Sequence, residues 1–388
     1  MVMTQKTLYC DNAATTFPKP QSVLDAVLDF MHNIGASPGR SAHNPAIKAS
    51  RRIFEVREKL ASLFNANDPS RIIFTPNATE GLNIGLLGIL SAGDRVAVTG
   101  MEHNSVMRPL GFLARERGVT VSVLPCDRNG NCDIDGFERI VKTGIKLVVV
   151  NHGSNVCGTI APLRRLGAIA RAHGAIFMVD AAQTAGSVHI DVQSMNIDVL
   201  AFSGHKGLYG PAGTGGLFIR QGLNVRPLKY GGTGSDSVSD MQPDFCPDKY
   251  ESGTLNGPGI AGLGAGIDFI SRLGVEAVRN HGTELTEYFL DKLSAIDDIA
   301  VTGPRDPKNM LPTVSITLKK IDQGIVARRL NDEFGICVRM GLHCAPNAHR
   351  SLGTFPQGTI RFSFGFFNTL EDMDNIIGAL KTILLTEH

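Results

Sequence analysis

The segment Leu200–Pro211 places a lysine where its amine can take part in chemistry. An apolar run ends at Ser203, and Gly-His-Lys-Gly follows, so Lys206 comes just after a predicted buried strand. Ligands of open α/β sheets bind outside the carboxyl ends of the strands. A lysine in that position can form a Schiff base with an aldehyde cofactor. A solvated surface lysine is the alternative, and the rest of the chain decides between the two.

Other residues that follow predicted strands match the needs of one aldehyde cofactor, pyridoxal 5'-phosphate. Its phosphate binds well at a helix N-terminus, and Ala78 and Thr79 open a predicted helix after the strand at Arg71–Thr75. Its ring nitrogen needs a carboxylate partner, because the protonated ring takes up electrons. Asp180 ends the apolar run Ala175–Val179 and would be costly to bury without such a partner. Taken alone, Thr79 could equally serve only as a helix cap.

Neighbouring loops supply the remaining predicted contacts. Gln183, just after Asp180, and Asn155, after a strand at 146–151, can each reach the phenolic oxygen of the ring. His103 follows a strand at 96–99 and can stack on the ring. Ser203 and His205 are close enough to Lys206 in sequence to bond the phosphate. The predicted cofactor-binding set is Ala78, Thr79, His103, Asn155, Asp180, Gln183, Ser203, His205 and Lys206.

Composition narrows the possible classes of partner. A chain of 388 residues is too long for one simple core, so two domains are expected. The formal net charge of +1, without a basic stripe, argues against a nucleic-acid partner. No apolar run has the length of a membrane span, and the first residues have no apolar signal core. We therefore expect a cytoplasmic enzyme that does not bind membranes.

The cysteines give no sign of a metal site. There are seven, an odd number, and no two of them form a Cys-x-x-Cys pair. Neither a zinc site nor a disulfide framework is indicated, so no metal is predicted. Most of the cysteines are expected to be small buried hydrophobes.

Alternation of strand and helix patterns predicts an α/β fold with a mostly parallel sheet and helices on both faces. The strand-like runs are Arg71–Thr75, Val96–Thr99, Val119–Pro125, Lys146–Asn151, Ala175–Asp180, Val199–Ser203 and Gly215–Ile219. The stretch Tyr230–Thr254 is predicted to be irregular. After about residue 258 the pattern changes to two long helices and an α+β segment with a strand at Cys337–Met340. We predict an N-terminal arm at 1–16, a large domain at 17–257 and a small domain at 258–388.

Several short motifs, in this order along the chain, resemble those of the class V aminotransferases. Within that family the chain is similar to cysteine desulfurases, the branch shared with selenocysteine lyase. The motifs are Asp11-Asn-Ala-Ala-Thr-Thr, Asn77-Ala-Thr-Glu-Gly-Leu-Asn, Glu102-His-Asn, Ser154-Asn-Val-x-Gly-Thr, Asp180-Ala-Ala-Gln, Ser203-Gly-His-Lys and Glu251-Ser-Gly-Thr-x-Asn. The resemblance implies a type I pyridoxal-phosphate fold with a seven-stranded sheet. It also implies a homodimer in which Thr254 reaches the phosphate of the partner subunit's cofactor.

The segment Val338-Arg-Met-Gly-Leu-His-Cys-Ala-Pro resembles the short cysteine loop of one group of desulfurases. The resemblance implies that Cys344 is a nucleophile, and His343 or Arg339 could stabilise its thiolate. A loop cysteine without a role is the alternative. Arg361 resembles the arginine that grips the substrate carboxylate, which its planar fork suits. The implied substrate-binding set is Arg361, Arg339, Asn155 and Asn12.

The implied activity is conversion of L-cysteine to L-alanine, with a persulfide formed on Cys344 and its sulfur passed to an acceptor protein, as in iron–sulfur cluster assembly. Lys206, Cys344 and His103 are the implied catalytic residues. Three alternatives stay open: a selenocysteine lyase, a class V aminotransferase that has no need of Cys344, and a cofactor-bound partner protein without turnover. The loop at 35–44 departs from the family pattern, and Arg40 and His43 in it have no assigned role.

Overall fold

The computed structural model describes residues 7–39, 43–235 and 238–386. The strands, in chain order, are β1 (Leu8–Tyr9), β2 (Ile72–Thr75), β3 (Arg95–Thr99), β4 (Thr120–Leu124), β5 (Leu147–Asn151), β6 (Ile176–Asp180), β7 (Val199–Ser203), β8 (Gly215–Ile219), β9 (Ile299–Thr302), β10 (Thr313–Leu318), β11 (Ile336–Cys337), β12 (Arg339–Gly341) and β13 (Thr359–Ser363). The helices are α1 (Gln21–Asp29), α2 (Asn44–Phe64), α3 (Ala78–Ile89), α4 (Asn104–Arg117), α5 (Ile134–Val141), α6 (Leu163–Ala172), α7 (Gly257–Leu273), α8 (Val275–Ser294), α9 (Gln323–Phe334), α10 (Pro346–Leu352) and α11 (Leu370–Thr386).

Seven strands form the central sheet in the order β2-β8-β7-β6-β5-β3-β4. Neighbours from β7 to β4 run parallel, and β8 is antiparallel to both β7 and β2. The predicted α/β fold with a mostly parallel seven-stranded sheet is therefore confirmed. All seven strand-like runs predicted from the sequence are present, with small differences at their ends.

The inner strands of this sheet are buried on both faces, which explains why they are rich in apolar residues. In β5, Val148 and Val150 pack into the core on one face, whereas Leu147 and Val149 pack into the core on the other. Successive strand residues point to opposite faces, so a strand covered on both sides needs apolar residues at every position. Helices such as α2 and α6 cover the first face, and α3 and α4 cover the second. In β2, β5, β6 and β7, the polar residue is thereby restricted to the strand end.

A second sheet forms after α7 and α8, in the order β12-β13-β10-β9, with every neighbouring pair antiparallel. It packs with α8, α9 and α11 around its own apolar core, which contains Phe289, Phe362 and Leu380. This is the predicted α+β segment, although β9 was not predicted. The exact domain limits at 16/17 and 257/258 remain predictions.

The single strand predicted at Cys337–Met340 is wrong. The chain forms two short strands there, because their partners differ: β11 pairs in parallel with β1, and β12 pairs antiparallel with β13. The predicted N-terminal arm therefore adds a short strand beside β11. Within the described ranges, no helix has both the length and the apolarity to cross a bilayer.

A buried ion pair fixes the irregular segment after Tyr230 to the sheet. Both guanidinium Nη atoms of Arg57 donate to the carboxylate of Glu251, at 2.8 and 2.9 Å, and both side chains are almost completely buried. Glu251 Oε1 also accepts from the backbone N–H of Phe74 at 2.6 Å. The guanidinium lies over the Phe74 ring, 4.5 Å from its centroid. Helix α2, strand β2 and the chain near Thr254 thus meet at one charged pair.

We expect Arg57→Ala to lower the free energy of unfolding by about 3–5 kcal/mol, because it leaves the Glu251 carboxylate buried without a cation. Urea denaturation measures this loss. The matched control is Arg51→Ala on the same helix, where the pair with Glu55 is exposed and is worth less than about 1 kcal/mol. Equal losses in the two variants would contradict a special role for the buried pair.

Candidate active site

The nine residues predicted to bind the cofactor line one cleft at the carboxyl ends of the parallel strands. The cleft encloses an empty volume of about 610 Å³. Each strand that borders it ends in polar residues, and the fold brings these residues to the same edge of the sheet. The complete lining is Ala14, Asn77, Ala78, Thr79, Leu82, His103, Ser105, Asn151, Asn155, Asp180, Ala182, Gln183, Ser203, His205 and Lys206.

Asp180 presents a buried carboxylate to this cleft. The residue is 4% exposed and accepts a hydrogen bond from the backbone N–H of Ala182 at 2.9 Å. Burial raises the pKa of Asp180, and the Ala182 hydrogen bond and the positive charge of Lys206 oppose that rise. A carboxylate in this environment favours a cationic partner.

The amine of Lys206 has a lowered pKa, which allows it to act as a nucleophile or a base. Burial is the main cause that lowers the pKa of Lys206 from 10.5 to about 8, and the positive charges of Arg361 and Arg339 add to the effect. The negative charge of Asp180 opposes it. A lysine with a pKa near 8 has a substantial neutral fraction at physiological pH, which both Schiff-base formation and proton transfer require.

Ser105 is a site residue that the sequence reasoning did not assign. Its hydroxyl lies 2.8 Å from His103 Nδ1 and 2.8 Å from Thr79 Oγ1, so it connects two predicted cofactor contacts. Its backbone N–H also donates to His103 Nδ1 at 3.1 Å, which makes His103 the N-cap of α4. The sequence could have indicated this contact, because the backbone N–H of the second residue of a helix often donates to the side chain of the N-cap residue.

His103 is neutral at physiological pH. Burial, followed by the positive charge of Lys206, lowers the pKa of His103 to about 4. A neutral imidazole can lie against a positively charged ring without charge repulsion. This property agrees with the stacking role predicted for His103.

The N-terminus of α3 forms one end of the cleft. Asn77 caps the helix, because its Oδ1 accepts from Glu80 N at 3.0 Å. The cap leaves the first-turn amides of Ala78 and Thr79 at a helix end, where such N–H groups have no partner within the helix. Backbone donors and the Thr79 hydroxyl are the groups that bind a phosphate in this situation.

The amide side chains of Gln183 and Asn155 point to different neighbours. Gln183 Nε2 donates to Ala13 O at 2.9 Å, and Asn155 Nδ2 donates to His343 O at 2.7 Å. Asn155 Oδ1 is buried and has no partner among the described residues. Buried polar atoms are rarely left unpaired, so a bound group in the cleft would complete the bonding of Asn155.

Taken together, these groups fit pyridoxal 5'-phosphate. The cleft has helix-end donors and hydroxyls at the α3 side, a buried carboxylate at Asp180, and a lysine of lowered pKa. It also has an unpaired amide oxygen at Asn155. A phosphate, a protonated ring nitrogen and an aldehyde each have a complementary partner here.

The Cys344 loop is attached to this cleft by backbone hydrogen bonds. Asn155 Nδ2 holds the carbonyl of His343, and Asn104 N donates to the carbonyl of Cys344 at 2.8 Å. His343 and Cys344 both have positive φ, at 49° and 59°, and Cys344 is exposed. Positive φ is uncommon for residues other than glycine, and such conformations are concentrated at functional sites.

Of the two groups predicted to stabilise the Cys344 thiolate, His343 has its ring nitrogen Nε2 beside another residue. Burial lowers the pKa of His343 to about 2, so its ring is neutral, and its Nε2 lies 3.0 Å from Thr359 Oγ1. Arg339 Nη2 lies 3.8 Å from the sulfur of Cys344. Arg339 is therefore the cation beside the thiol.

Arg361 is buried, and both of its Nη atoms already have partners. It is 1% exposed; its Nη1 donates to Asn155 O at 2.8 Å, and its Nη2 forms an ion pair with Asp11. Its Nε is buried without a partner among the described residues. The sequence did not reveal Asp11 as the partner, because the two residues are at opposite ends of the chain.

Other predicted residues lie outside the cleft. The Asn12 side chain donates to Ser363 O at 3.0 Å and accepts from Phe17 N at 3.3 Å, so it holds the N-terminal arm. Thr254 is exposed and does not line this chain's own cleft. His43 caps α2 through its Nδ1, which accepts from Ala46 N at 3.2 Å. Arg40 lies outside the described residues. The roles of Asn12 and Thr254 stay predictions.

The lowered pKa of Lys206 is open to direct measurement. In protein freed of bound aldehyde with hydroxylamine, ¹³C-methylated lysines titrate individually by NMR. We expect Lys206 to lose its proton near pH 8, where ordinary lysines stay protonated. Asp180→Asn should lower this pKa further, because it removes the negative charge that favours the ammonium ion. Asp94→Asn, which removes the carboxylate paired with Lys146, is the control and should leave the pKa of Lys206 unchanged. A Lys206 titration near 10.5 would contradict the burial argument.

Comparison with known proteins agrees with this geometry. A probable cysteine desulfurase from Methanothermobacter thermautotrophicus is 38% identical over 383 residues, which cover 97% of this chain and 94% of the relative. A cysteine desulfurase from Serratia proteamaculans is 32% identical over 388 residues, which cover 98% of this chain and 94% of the relative. The apo structure of a cysteine desulfurase from Thermococcus onnurineus superposes with a TM-score of 0.92 at 34% identity, over 97% of this chain and 94% of that one.

A second solved structure, the S-sulfonic acid form of the cysteine desulfurase CsdA from Escherichia coli, has a TM-score of 0.89 at 29% identity. It aligns over 98% of this chain and 95% of that one. Residues 8–376 match the family model described as Aminotransferase class-V. These residues include both sheets and the whole cleft, and the chain therefore belongs to the class-V aminotransferase family.

Proposed function

We propose that the protein is a pyridoxal-phosphate-dependent cysteine desulfurase that converts L-cysteine to L-alanine and receives the sulfur on Cys344. One observation carries the proposal: the backbone of the Cys344 loop is hydrogen-bonded to Asn155 and Asn104 at the cleft that contains Lys206. An aminotransferase without sulfur chemistry has no use for an exposed thiol held there.

The cleft residues would hold the cofactor in the roles that their chemistry suits. The first-turn amides of α3, Thr79, Ser203 and His205 would bind the phosphate, and Asp180 would pair with the ring nitrogen. His103 would lie against the ring, and Gln183 and Asn155 would bond its phenolic oxygen. When bound, pyridoxal phosphate supplies an electron sink that makes the α-carbon of an amino acid acidic and polarises the bond to its sulfur.

Lys206 is the group that moves protons. With its amine free, the lowered pKa of Lys206 would let it take the α-proton of the substrate at physiological pH. Arg361 is the only buried guanidinium among the described residues near Asn155, and its planar fork suits the substrate carboxylate. Because Asp11 contacts Arg361 Nη2, binding of a substrate carboxylate requires Asp11 to share or leave that position.

Cys344 then acts on the sulfur. Its thiolate, beside Arg339, attacks the substrate sulfur; an S–S bond forms, the C–S bond breaks, and the carbon takes up a proton. The products are L-alanine and a persulfide on Cys344. A thiol of an acceptor protein removes the outer sulfur, which regenerates Cys344. The exposure of Cys344 gives such an acceptor access.

We also propose that the active enzyme is a homodimer in which Thr254 contacts the cofactor of the partner subunit. Thr254 is exposed, and the buried Arg57–Glu251 pair fixes the chain three residues before it. A residue held in this way, outside its own cleft, is suited to complete a site across an interface.

Replacing the nucleophile tests the proposed reaction. In the holoenzyme with L-cysteine and a reductant, we expect Cys344→Ser to lower the rate of alanine and sulfide formation by at least about 100-fold, because the hydroxyl cannot form a persulfide. Cys337→Ser, at a half-buried cysteine of β11, is the matched control and should retain most activity. Chromatography of alanine and a colorimetric sulfide assay give the two rates.

Full alanine formation by Cys344→Ser would refute the nucleophile assignment. A parallel assay with L-selenocysteine separates the two branches, since product from that substrate alone would identify a selenocysteine lyase. Amino transfer to a 2-oxo acid, with neither sulfide nor selenide formed, would instead identify an aminotransferase.

A further inference from the structure

Two cysteines outside the cleft face each other across a tight turn. Cys126 and Cys132 are partners in an isolated antiparallel bridge between β4 and α5, and their sulfur atoms are 3.4 Å apart. Residues directly opposite in an antiparallel pair have Cα atoms about 4.5–5.5 Å apart, within the range that a disulfide spans. Both are free thiols in the structure and both are partly exposed.

The turn between them holds this arrangement. The Asp127 carboxylate accepts from the backbone N–H groups of Asn129 and Asn131, both at 2.8 Å, and from Asn131 Nδ2 at 3.1 Å. Asp127 N donates to Asn131 O at 2.9 Å, and Gly130 takes the positive φ of 80° that the turn needs. The thiols therefore meet without any rearrangement of the backbone.

The two thiols are not equivalent. A hydrogen bond from Cys132 lowers the pKa of Cys126, against the opposing effect of burial. The same hydrogen bond, followed by burial, raises the pKa of Cys132. The direction of these shifts favours Cys126 as the first nucleophile, and the 3.4 Å between the sulfur atoms lets Cys132 follow.

We propose that Cys126 and Cys132 are a redox-active dithiol that exchanges with low-molecular-weight disulfides to form an intrachain disulfide. Cys126 thiolate attacks one sulfur of the external disulfide, whose S–S bond breaks and releases one thiol. Cys132 then loses its proton and attacks Cys126 in the mixed disulfide, and the second thiol leaves. Two electrons pass from the protein to the external disulfide, which is reduced to two thiols.

This dithiol lies behind the loops of the active site. Cys126 packs against a small buried cluster that contains Met101, Val156 and Ala345, the residue after Cys344. Thr159 Oγ1 donates to Asn129 O in the turn at 2.5 Å. A disulfide at this position would link the two ends of a turn that supports the loops of His103, Asn155 and Cys344. The proposal does not depend on the proposed function.

The test uses the full-length holoenzyme in buffers of increasing ratio of oxidised to reduced glutathione. After acid quenching and alkylation, cleavage at glutamate yields the peptide 117–138, which contains Cys126 and Cys132 and no other cysteine. We expect mass spectrometry to show this peptide losing two hydrogens and escaping alkylation, while Cys246 and Cys337 in the same digest stay alkylated. In Cys132→Ser, glutathione should accumulate on Cys126 as a trapped mixed disulfide.

Alkylation of both cysteines at every ratio would overturn the proposal, as would oxidation that links either of them to a different cysteine. Trapped glutathione on residue 132 in Cys126→Ser, with none on Cys126 in Cys132→Ser, would overturn the order of attack. If a variant does not fold, mass spectrometry of peptide 117–138 from the wild-type protein still tests whether the disulfide forms. Because none of these readouts uses catalytic activity, their result is independent of the desulfurase proposal.

Discussion

The buried carboxylate of Asp180 sets the requirements of the cleft around it. A charge at the end of a fully covered sheet is costly unless a cation faces it. The structure also contains a second buried carboxylate nearby, Glu102, whose pKa burial raises to about 8, with the negative charge of Asp180 contributing. Glu102 is therefore mostly protonated at neutral pH, and it accepts hydrogen bonds from Thr99 and from the backbone of Asn151. Asp180 is the acidic residue that lines the cleft, where a positively charged ring would lie.

The loop after β5 joins this charged end of the sheet to the C-terminal segment. The Asn155 side chain donates to the carbonyl of His343, and the backbone carbonyl of Asn155 accepts from Arg361. The carbonyl of the next residue, Val156, accepts from Ser315 on β10 at 2.6 Å. Three adjacent contacts thus fix the cysteine loop and the arginine to the cleft, which explains how residues more than a hundred positions apart act in one site.

The large sheet and its polar edge could be predicted from the sequence because both follow from a local pattern. Strands buried on both faces are continuous apolar runs, and Asp180 and Ser203 stand where such runs stop. The two-residue strands β1 and β11 are too short to show such a pattern, since their pairing with each other defines them. His343 is adjacent to Cys344 in sequence, but burial makes it neutral, and Arg339 is the cation that contacts the thiol. The Arg361–Asp11 pair joins the two ends of the chain and leaves no local signal. Burial and long-range pairing are the properties that a single sequence does not display.

The central claim is that sulfur passes from the substrate to Cys344, and a single turnover tests it most directly. Holoenzyme is mixed with one equivalent of L-cysteine labelled with ³⁴S, without reductant or acceptor, and the peptide that contains Cys344 is analysed by mass spectrometry after alkylation. We expect one labelled sulfur atom on Cys344, together with one molecule of alanine per active site. Alanine formed without labelled sulfur on Cys344, or with the label on another cysteine, would contradict it.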